Sequence, residues 1–311
     1  MTTTNIAYTT PVDTGKWKRW LLFSPAARIV LFFVGMAVLS GILSAIVVAT
    51  LGTMEGSNII HRPWLYYGGQ VLPAIIAYYL LVRLLERRRV NELALRDLPG
   101  YGAGGLLLGA VLFSLIVGLL WLFGSYHVIG TNPDAHWLVP VLVVGIGAGI
   151  SEEILMRGVL YRIIEEGLGT WAALVISALV FGFMHAHNPN ATTWSSLAIA
   201  IEAGVSFALL YHVTRSLWMC MGLHAAWNTM QGTVYGISVS GTGADGFLVS
   251  TRSGPDWLSG GAFGAEASVV ALLCCSVLSV ILLVIALRRG SIVPPAWRRR
   301  ARMDAVLQGA A

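Results

Sequence analysis

Long apolar stretches, separated by short polar segments, recur along the whole chain. A run of about twenty mainly apolar residues is long enough to cross roughly 30 Å of hydrocarbon as an α-helix. Such runs predict eight helices, at about residues 28–52, 64–86, 103–124, 137–166, 171–187, 193–213, 216–236 and 264–288. The pattern therefore predicts an all-α, polytopic membrane protein.

The composition agrees with this fold class. Hydrophobic residues make up 56% of the 311 residues and charged residues only 11%, and the mean hydropathy is +0.74. A soluble domain carries about a quarter charged residues. A chain with so few charges could not keep its surface in water, so the soluble classes are excluded.

The net charge of +5 comes from basic clusters that lie beside apolar runs. These clusters are at residues 16–28, 83–96 and 288–302. This distribution is typical of cytoplasmic loops rather than of a nucleic-acid surface. It predicts a cytoplasmic N-terminal segment (1–27), a transmembrane domain (28–288) and a basic cytoplasmic tail (289–311), in the cell membrane. The composition, rich in Ala, Gly, Arg and Trp, is compatible with a bacterium of high GC content. The 125–136 connection has no Lys or Arg and is expected to face outward.

Ionisable residues inside apolar runs are functional candidates, because each costs a few kcal/mol to bury. The second half of the chain contains a set of them, together with one amide: Glu152, Glu153, Arg157, His185, Glu202, His224 and Asn228, with His187 close to His185. Glu202 stands apart, since it could line a cavity with the others or pair with Arg215 or a histidine.

Helical geometry sorts the candidates. Glu153 and Arg157 are four residues apart, so they can pair along one helix face. Glu152 is rotated by about 100° from Glu153 and points elsewhere. At about 1.5 Å per residue, Glu152 and His185 both lie roughly 25 Å from the turn at 167–169. The helix end at 162–166 is expected to project into water.

His224 and Asn228 share one face of the next-to-last helix, at a depth of roughly 12–18 Å. Three helices are thus expected to deliver a carboxylate, two imidazoles and an amide to one layer. A carboxylate beside an imidazole can activate water, and a second imidazole with an amide can bind an oxyanion. Glu152, His185 and His224, with or without Asn228, could instead hold Zn²⁺, whose usual ligands include His and carboxylate.

Three motifs carry a resemblance to a known family. "EEILMR" (152–157) matches EExxxR, "FGFMH" (181–185) matches FxxxH and "HAAWN" (224–228) matches HxxxN. In this order on successive helices they resemble the CAAX-protease and bacteriocin-processing (CPBP) family, which includes the Rce1-type prenyl-protein endopeptidases. The resemblance covers about residues 100–288, the expected catalytic core.

The resemblance implies an intramembrane endopeptidase that cleaves near the C-terminus of a lipidated or hydrophobic peptide. Glu152 would be the general base, His185 its partner at the water, and His224 with Asn228 the oxyanion site. Glu153 and Arg157 would support the geometry. The family has been described both as glutamate-type proteases and as zinc metalloproteases.

Two other classes stay open. One is a non-catalytic bacteriocin-immunity or scaffold protein that keeps the fold. The other is a proton-coupled transporter, in which buried Glu and His residues form a relay.

Overall fold

The computed structural model of the chain describes residues 8–11, 13–51 and 63–309. Parts of the predicted N-terminal segment and basic tail, and the end of the first predicted helix, lie outside these ranges. Within them, eight long helices confirm the all-α polytopic architecture. They are α1 (Pro25–Thr50), α2 (Pro63–Leu85), α3 (Leu95–Leu122), α4 (Leu138–Leu168), α5 (Thr170–His187), α6 (Thr193–Thr214), α7 (Leu217–Asn228, continued by π-helical turns over Thr229–Val234) and α8 (Val269–Arg288).

Seven of these helices, counted over the described residues, are long and apolar enough to cross a membrane. The eighth is α7, whose apolar run is interrupted by His224, Asn228 and Gln231. Seven apolar residues within Leu217–Asn228 are buried. α7 is therefore an internal helix that the others surround. A central helix can carry polar groups because it does not face lipid.

The helices alternate in direction, which gives the protein two ends. The basic end holds the start of α1, the connections α2–α3, α4–α5 and α6–α7, and the end of α8. The loop end holds the α3–α4, α5–α6 and α7–α8 connections. There β1 (Tyr126–Thr131) pairs antiparallel with β2 (Leu248–Arg252), with an irregularity in the register between Val128 and Gly130. This short sheet joins two segments that the sequence predicts only as connections.

Buried ion pairs hold the basic end together. Glu86 accepts hydrogen bonds from Arg28 at 2.8 Å and from Arg162 at 3.0 Å. Next to it, burial acts to raise the pKa of Glu92, but the hydrogen bonds and charge of Arg88 hold that pKa at about 2. The expectation that the end of α4 projects into water is wrong, because Arg162 is only 4% exposed. The free-energy cost of removing these charges from water is offset because each charged side chain has several partners of opposite charge.

Two short helices extend the basic end, at Lys16–Leu21 and Ala296–Gly309. The second is tied to α4, since Arg299 Nη2 donates to the Glu166 carbonyl oxygen at 2.7 Å. The predicted basic tail is therefore helical and docked along part of its length.

Small residues bring the helices into close contact around α7. A Cβ atom on Gly105 of α3 would lie 2.2 Å from the Met219 carbonyl oxygen, and one on Gly109 would lie 2.4 Å from the Leu223 carbonyl oxygen. Both clashes are with the α7 backbone, which cannot move away like a flexible side chain. Such close backbone approach is typical of helix packing in membranes.

Gly105→Ala is therefore expected to separate α3 from α7 and to destabilise the protein by about 1–3 kcal/mol, the usual cost of overpacking. Thermal unfolding in detergent would measure the effect. Gly118→Ala is the matched control on the same helix, because a Cβ atom there meets nothing within 4 Å. Equal melting temperatures for the two variants would contradict the close packing of α3 on α7.

Candidate active site

Glu152 and His185 face each other across the gap between α4 and α5. Glu152 Oε2 lies 4.0 Å from His185 Nε2, and the two side chains are 17% and 13% exposed. The His185 ring is oriented by its own helix, since Nδ1 lies 2.8 Å from the Phe181 carbonyl oxygen. A carbonyl only accepts, so Nδ1 carries the proton and Nε2 of the neutral ring is an acceptor.

A carboxylate oxygen and an unprotonated ring nitrogen cannot hydrogen-bond to each other. One water molecule about 2.8 Å from each of the two atoms could donate to both across their 4.0 Å separation. Glu152 Oε2 is buried and has no hydrogen-bond partner within the protein. The pair is therefore arranged to bind a water molecule by its two protons, which leaves the lone pairs of that water free.

Glu153 points away from Glu152 and joins α4 to α7. Its Oε1 accepts from Arg157 Nη1 at 2.9 Å and from His224 Nδ1 at 2.9 Å. The ion pair expected from the four-residue spacing is present, but the bond to His224 was not predicted from the sequence. Glu153 is fully buried, so the Glu153–Arg157–His224 cluster is a rigid support under the site.

Arg157 is also enclosed by backbone and aromatic groups. Nη2 donates to the Ala203 carbonyl oxygen at 2.8 Å, and the guanidinium lies 4.7 Å from the Phe181 ring centroid and 5.2 Å from that of Phe207. The FxxxH phenylalanine therefore touches both the arginine and, at 5.0 Å between ring centroids, His185. Cation–π contact of this kind is strongest in a dehydrated site.

His224 and Asn228 lie one turn apart on α7, as the spacing predicts. With Nδ1 bound to Glu153, the other His224 nitrogen, Nε2, is the one left for a ligand. Asn228 Nδ2 donates to the Val144 carbonyl oxygen at 2.8 Å, which uses one of its two N–H groups. Asn228 is thus fixed against α4 with one donor remaining.

Glycines allow α4 and α7 to approach at this level. A Cβ atom on Gly149 would lie 3.1 Å from the Met221 carbonyl oxygen, and one on Gly145 would lie 2.6 Å from Thr229 Oγ1. The small residues just before the two glutamates therefore place Glu153 within reach of His224. On the other side, a Cβ on Gly182 would lie 2.2 Å from the Ser196 carbonyl oxygen, so α5 and α6 are similarly close.

All four predicted catalytic residues line one cavity of about 570 Å³. That volume is typical of ligand pockets in proteins. The residues that line it include Tyr66, Glu152, Phe181, His185, Glu202, Phe207, His224, Asn228, Ser240 and Glu266. The structure thus brings together the polar groups that the sequence expected in one layer. His187 is exposed and does not line the cavity.

Glu202 of α6 also lines the cavity, which was one of its two predicted roles. The alternative pairing with Arg215 does not occur: Arg215 Nη1 donates to Glu165 Oε2 at 2.5 Å, at the basic end.

Glu266 lies in the turn just before α8 and was missed by the sequence analysis. The sequence signal for Glu266 was only a single acidic residue among glycine and alanine residues, and this pattern resembles an ordinary loop.

The arrangement does not assemble a zinc site. In the described ranges, no three His, Cys, Asp or Glu side chains group closely enough to hold one metal ion. The set Glu152, His185 and His224 therefore does not fit a zinc ion as placed, and the chemistry below uses these side chains alone. Zinc binding stays a prediction that metal analysis of the purified protein would test.

Comparison with known proteins agrees with the three motifs. Residues 134–230 match the sequence model of the Rce1-like family, type II CAAX prenyl endopeptidases. A protein of Bacillus subtilis (strain 168) named "Putative membrane peptidase YdiL" is 28% identical over 98 residues, which cover 31% of this chain and 38% of that protein. The chain thus matches well under half the length of this relative. The matched region contains both glutamates of α4, His185 and the α7 pair, so the part of the chain that carries the candidate active site is similar to the Rce1-like family.

Proposed function

We propose that this protein is an intramembrane endopeptidase that hydrolyses a peptide bond with water activated by Glu152 and His185. The observation that carries this proposal is the pair of acceptors, 4.0 Å apart, at the wall of a large cavity. The match of residues 134–230 to the Rce1-like family model supports peptidase activity.

In this mechanism the two O–H groups of the water donate hydrogen bonds to Glu152 and His185, and its oxygen attacks the carbonyl carbon of the peptide. Glu152 takes one proton as the C–O bond forms. The developing oxyanion accepts hydrogen bonds from the remaining N–H of Asn228 and from His224 Nε2. Because Nδ1 of His224 donates to Glu153, Nε2 donates only when the ring is doubly protonated, and the Glu153 carboxylate compensates that charge. Glu152 then gives its proton to the leaving amine as the C–N bond breaks.

The proposed substrate is a hydrophobic or lipidated peptide, cleaved near its C-terminus, with the protein in the cytoplasmic membrane of a bacterium. The basic end, with both termini, would face the cytoplasm. The cavity is lined by Pro189 and by 240–243 from the loop-end connections. In that orientation the site is nearer the outer face, so access from the bilayer or from the loop end is favoured over access from the cytoplasm.

The two histidines of "HAH" provide a matched test of this function. His185→Asn is expected to lower the cleavage rate of an internally quenched hydrophobic peptide by about 10²–10⁴-fold, the usual contribution of general acid–base catalysis. His187→Asn, two residues away on the exposed side of the same turn, should cleave at the unmodified rate. Purified protein in lipid nanodiscs would be compared by fluorescence. Equal rates for the two variants would contradict the role of His185.

A further inference from the structure

The cavity carries more negative charge than the proposed hydrolysis needs. Besides Glu152, two further carboxylates line it, Glu202 on α6 and Glu266 before α8. They are 2% and 3% exposed. Among the residues that line this cavity there is no Lys or Arg. Three carboxylates thus share a partly dehydrated space with two histidines and no permanent cation.

Glu202 is the least compensated of the three. Its Oε2 atom is buried and has no hydrogen-bond partner in the protein. The charge that acts on it is that of Glu266, which is of the same sign. A buried carboxylate without a partner costs free energy, and a second carboxylate nearby adds to that cost. The free oxygen is therefore a binding position for a donor from a ligand.

Glu266 is fixed by its neighbours at the wall of the cavity. Its Oε1 accepts from the Ser240 backbone N–H at 2.5 Å. Burial raises the pKa of Glu266, although the hydrogen bond from Ser240 opposes that effect. Arg252 also acts on Glu266 electrostatically, but it does not line the cavity. A bound cation would stabilise the charged form of this carboxylate.

We propose that Glu202 and Glu266 form an acidic subsite that binds the ammonium or guanidinium group of a basic residue in the peptide substrate. This inference rests on the proposed function, because it takes the bound peptide to be the substrate of the peptidase. Binding of the peptide itself needs no catalysis. Apolar walls formed by Ile199 and Phe207 suit the methylene stem of Lys or Arg, whose charged head then reaches the carboxylates. The enzyme would therefore select hydrophobic peptides that carry one basic residue close to the scissile bond.

Binding to a variant without the general base tests the subsite separately from turnover. The probes are fluorescent Ala/Leu octapeptides in which Lys is scanned along the positions, each paired with a peptide that has norleucine at the same position. Binding to Glu152→Gln protein in nanodiscs is measured by fluorescence anisotropy. At one position or more, the Lys peptide should bind at least tenfold more tightly than its norleucine partner.

Adding Glu202→Gln or Glu266→Gln should reduce that ratio to about twofold or less, with norleucine binding unchanged. Asp245→Asn is the matched control, because it removes an exposed carboxylate at the loop end that does not line the cavity. A thermal melt of each variant establishes folding. The absence of a Lys preference at every position, or a preference that survives both substitutions together, overturns the subsite.

The two proposals fail in different ways. If the unmodified protein cleaves the peptides but shows no Lys preference in kcat/KM or in binding, the subsite is wrong and the peptidase stands. If Glu152→Gln protein prefers Lys peptides but the unmodified protein cleaves none of them, the subsite stands and the peptidase is wrong.

Discussion

Replacing Glu152 by glutamine is expected to lower peptide hydrolysis by about 10³-fold or more while the protein remains folded in the membrane. Glutamine keeps the size and one acceptor of the side chain, but it cannot take a proton from water at neutral pH. General-base catalysis alone contributes about 10²–10⁴-fold. Because Glu152 Oε2 has no hydrogen-bond partner in the protein, the substitution breaks no internal contact of that atom. The loss should therefore appear in kcat and not in the melting temperature.

The measurement is cleavage of an internally quenched hydrophobic peptide by purified protein in nanodiscs, with bound zinc determined on the same samples. Glu166→Gln is a useful control, since it removes a glutamate of the same helix at the basic end, far along α4 from the cavity. It should keep most of the activity if the protein folds. Cleavage that survives Glu152→Gln would end the mechanism proposed above.

Arg157→Met is expected to destabilise the protein by about 3–5 kcal/mol, the usual result of removing one partner from a buried ion pair. Arg157 is only 1% exposed, and its guanidinium donates to Glu153 and to the Ala203 carbonyl between two phenylalanine rings. Without it, the Glu153 carboxylate stays in the interior with His224 as its remaining partner. Thermal unfolding in detergent and the yield of folded protein would both report the loss.

The double variant Glu153→Gln/Arg157→Met separates stability from catalysis. Removing both charges should recover part of the lost stability, because no unpaired charge remains. Activity should stay low, since His224 has lost the carboxylate that holds its ring. Arg96→Met is the matched control at an 85% exposed arginine, whose 3.6 Å pair with Asp97 should contribute less than about 1 kcal/mol. An Arg157→Met protein as stable as the Arg96→Met protein would show that the cluster is not a structural support.

Much of the site could be predicted from local spacing. The four-residue separation of Glu153 and Arg157 predicted their ion pair, and that of His224 and Asn228 predicted a shared face. The equal distances of Glu152 and His185 from the α4–α5 turn predicted a common level, because helical rise is nearly constant. All of these arguments use only geometry within one helix or one helical hairpin.

The contacts between distant segments could not be predicted in this way. The bond from His224 to Glu153 depends on how closely α7 approaches α4, which is set by Gly145 and Gly149 against the α7 backbone and side chains. Glu266 joins the cavity only because the turn before α8 folds back over the loop end, where the Ser240 backbone N–H holds it. Arg162 is buried because partners from other segments surround it, although its position at a helix end suggested water.

The sequence by itself determined the membrane class, the helices and the three motifs, because hydrophobic length and helical spacing are properties of short continuous segments. The tertiary structure alone decided which groups share the cavity, which charges are compensated and which carboxylate is left without a partner. Those outcomes depend on packing between helices far apart in the chain, and side-chain spacing along one helix carries no information about them.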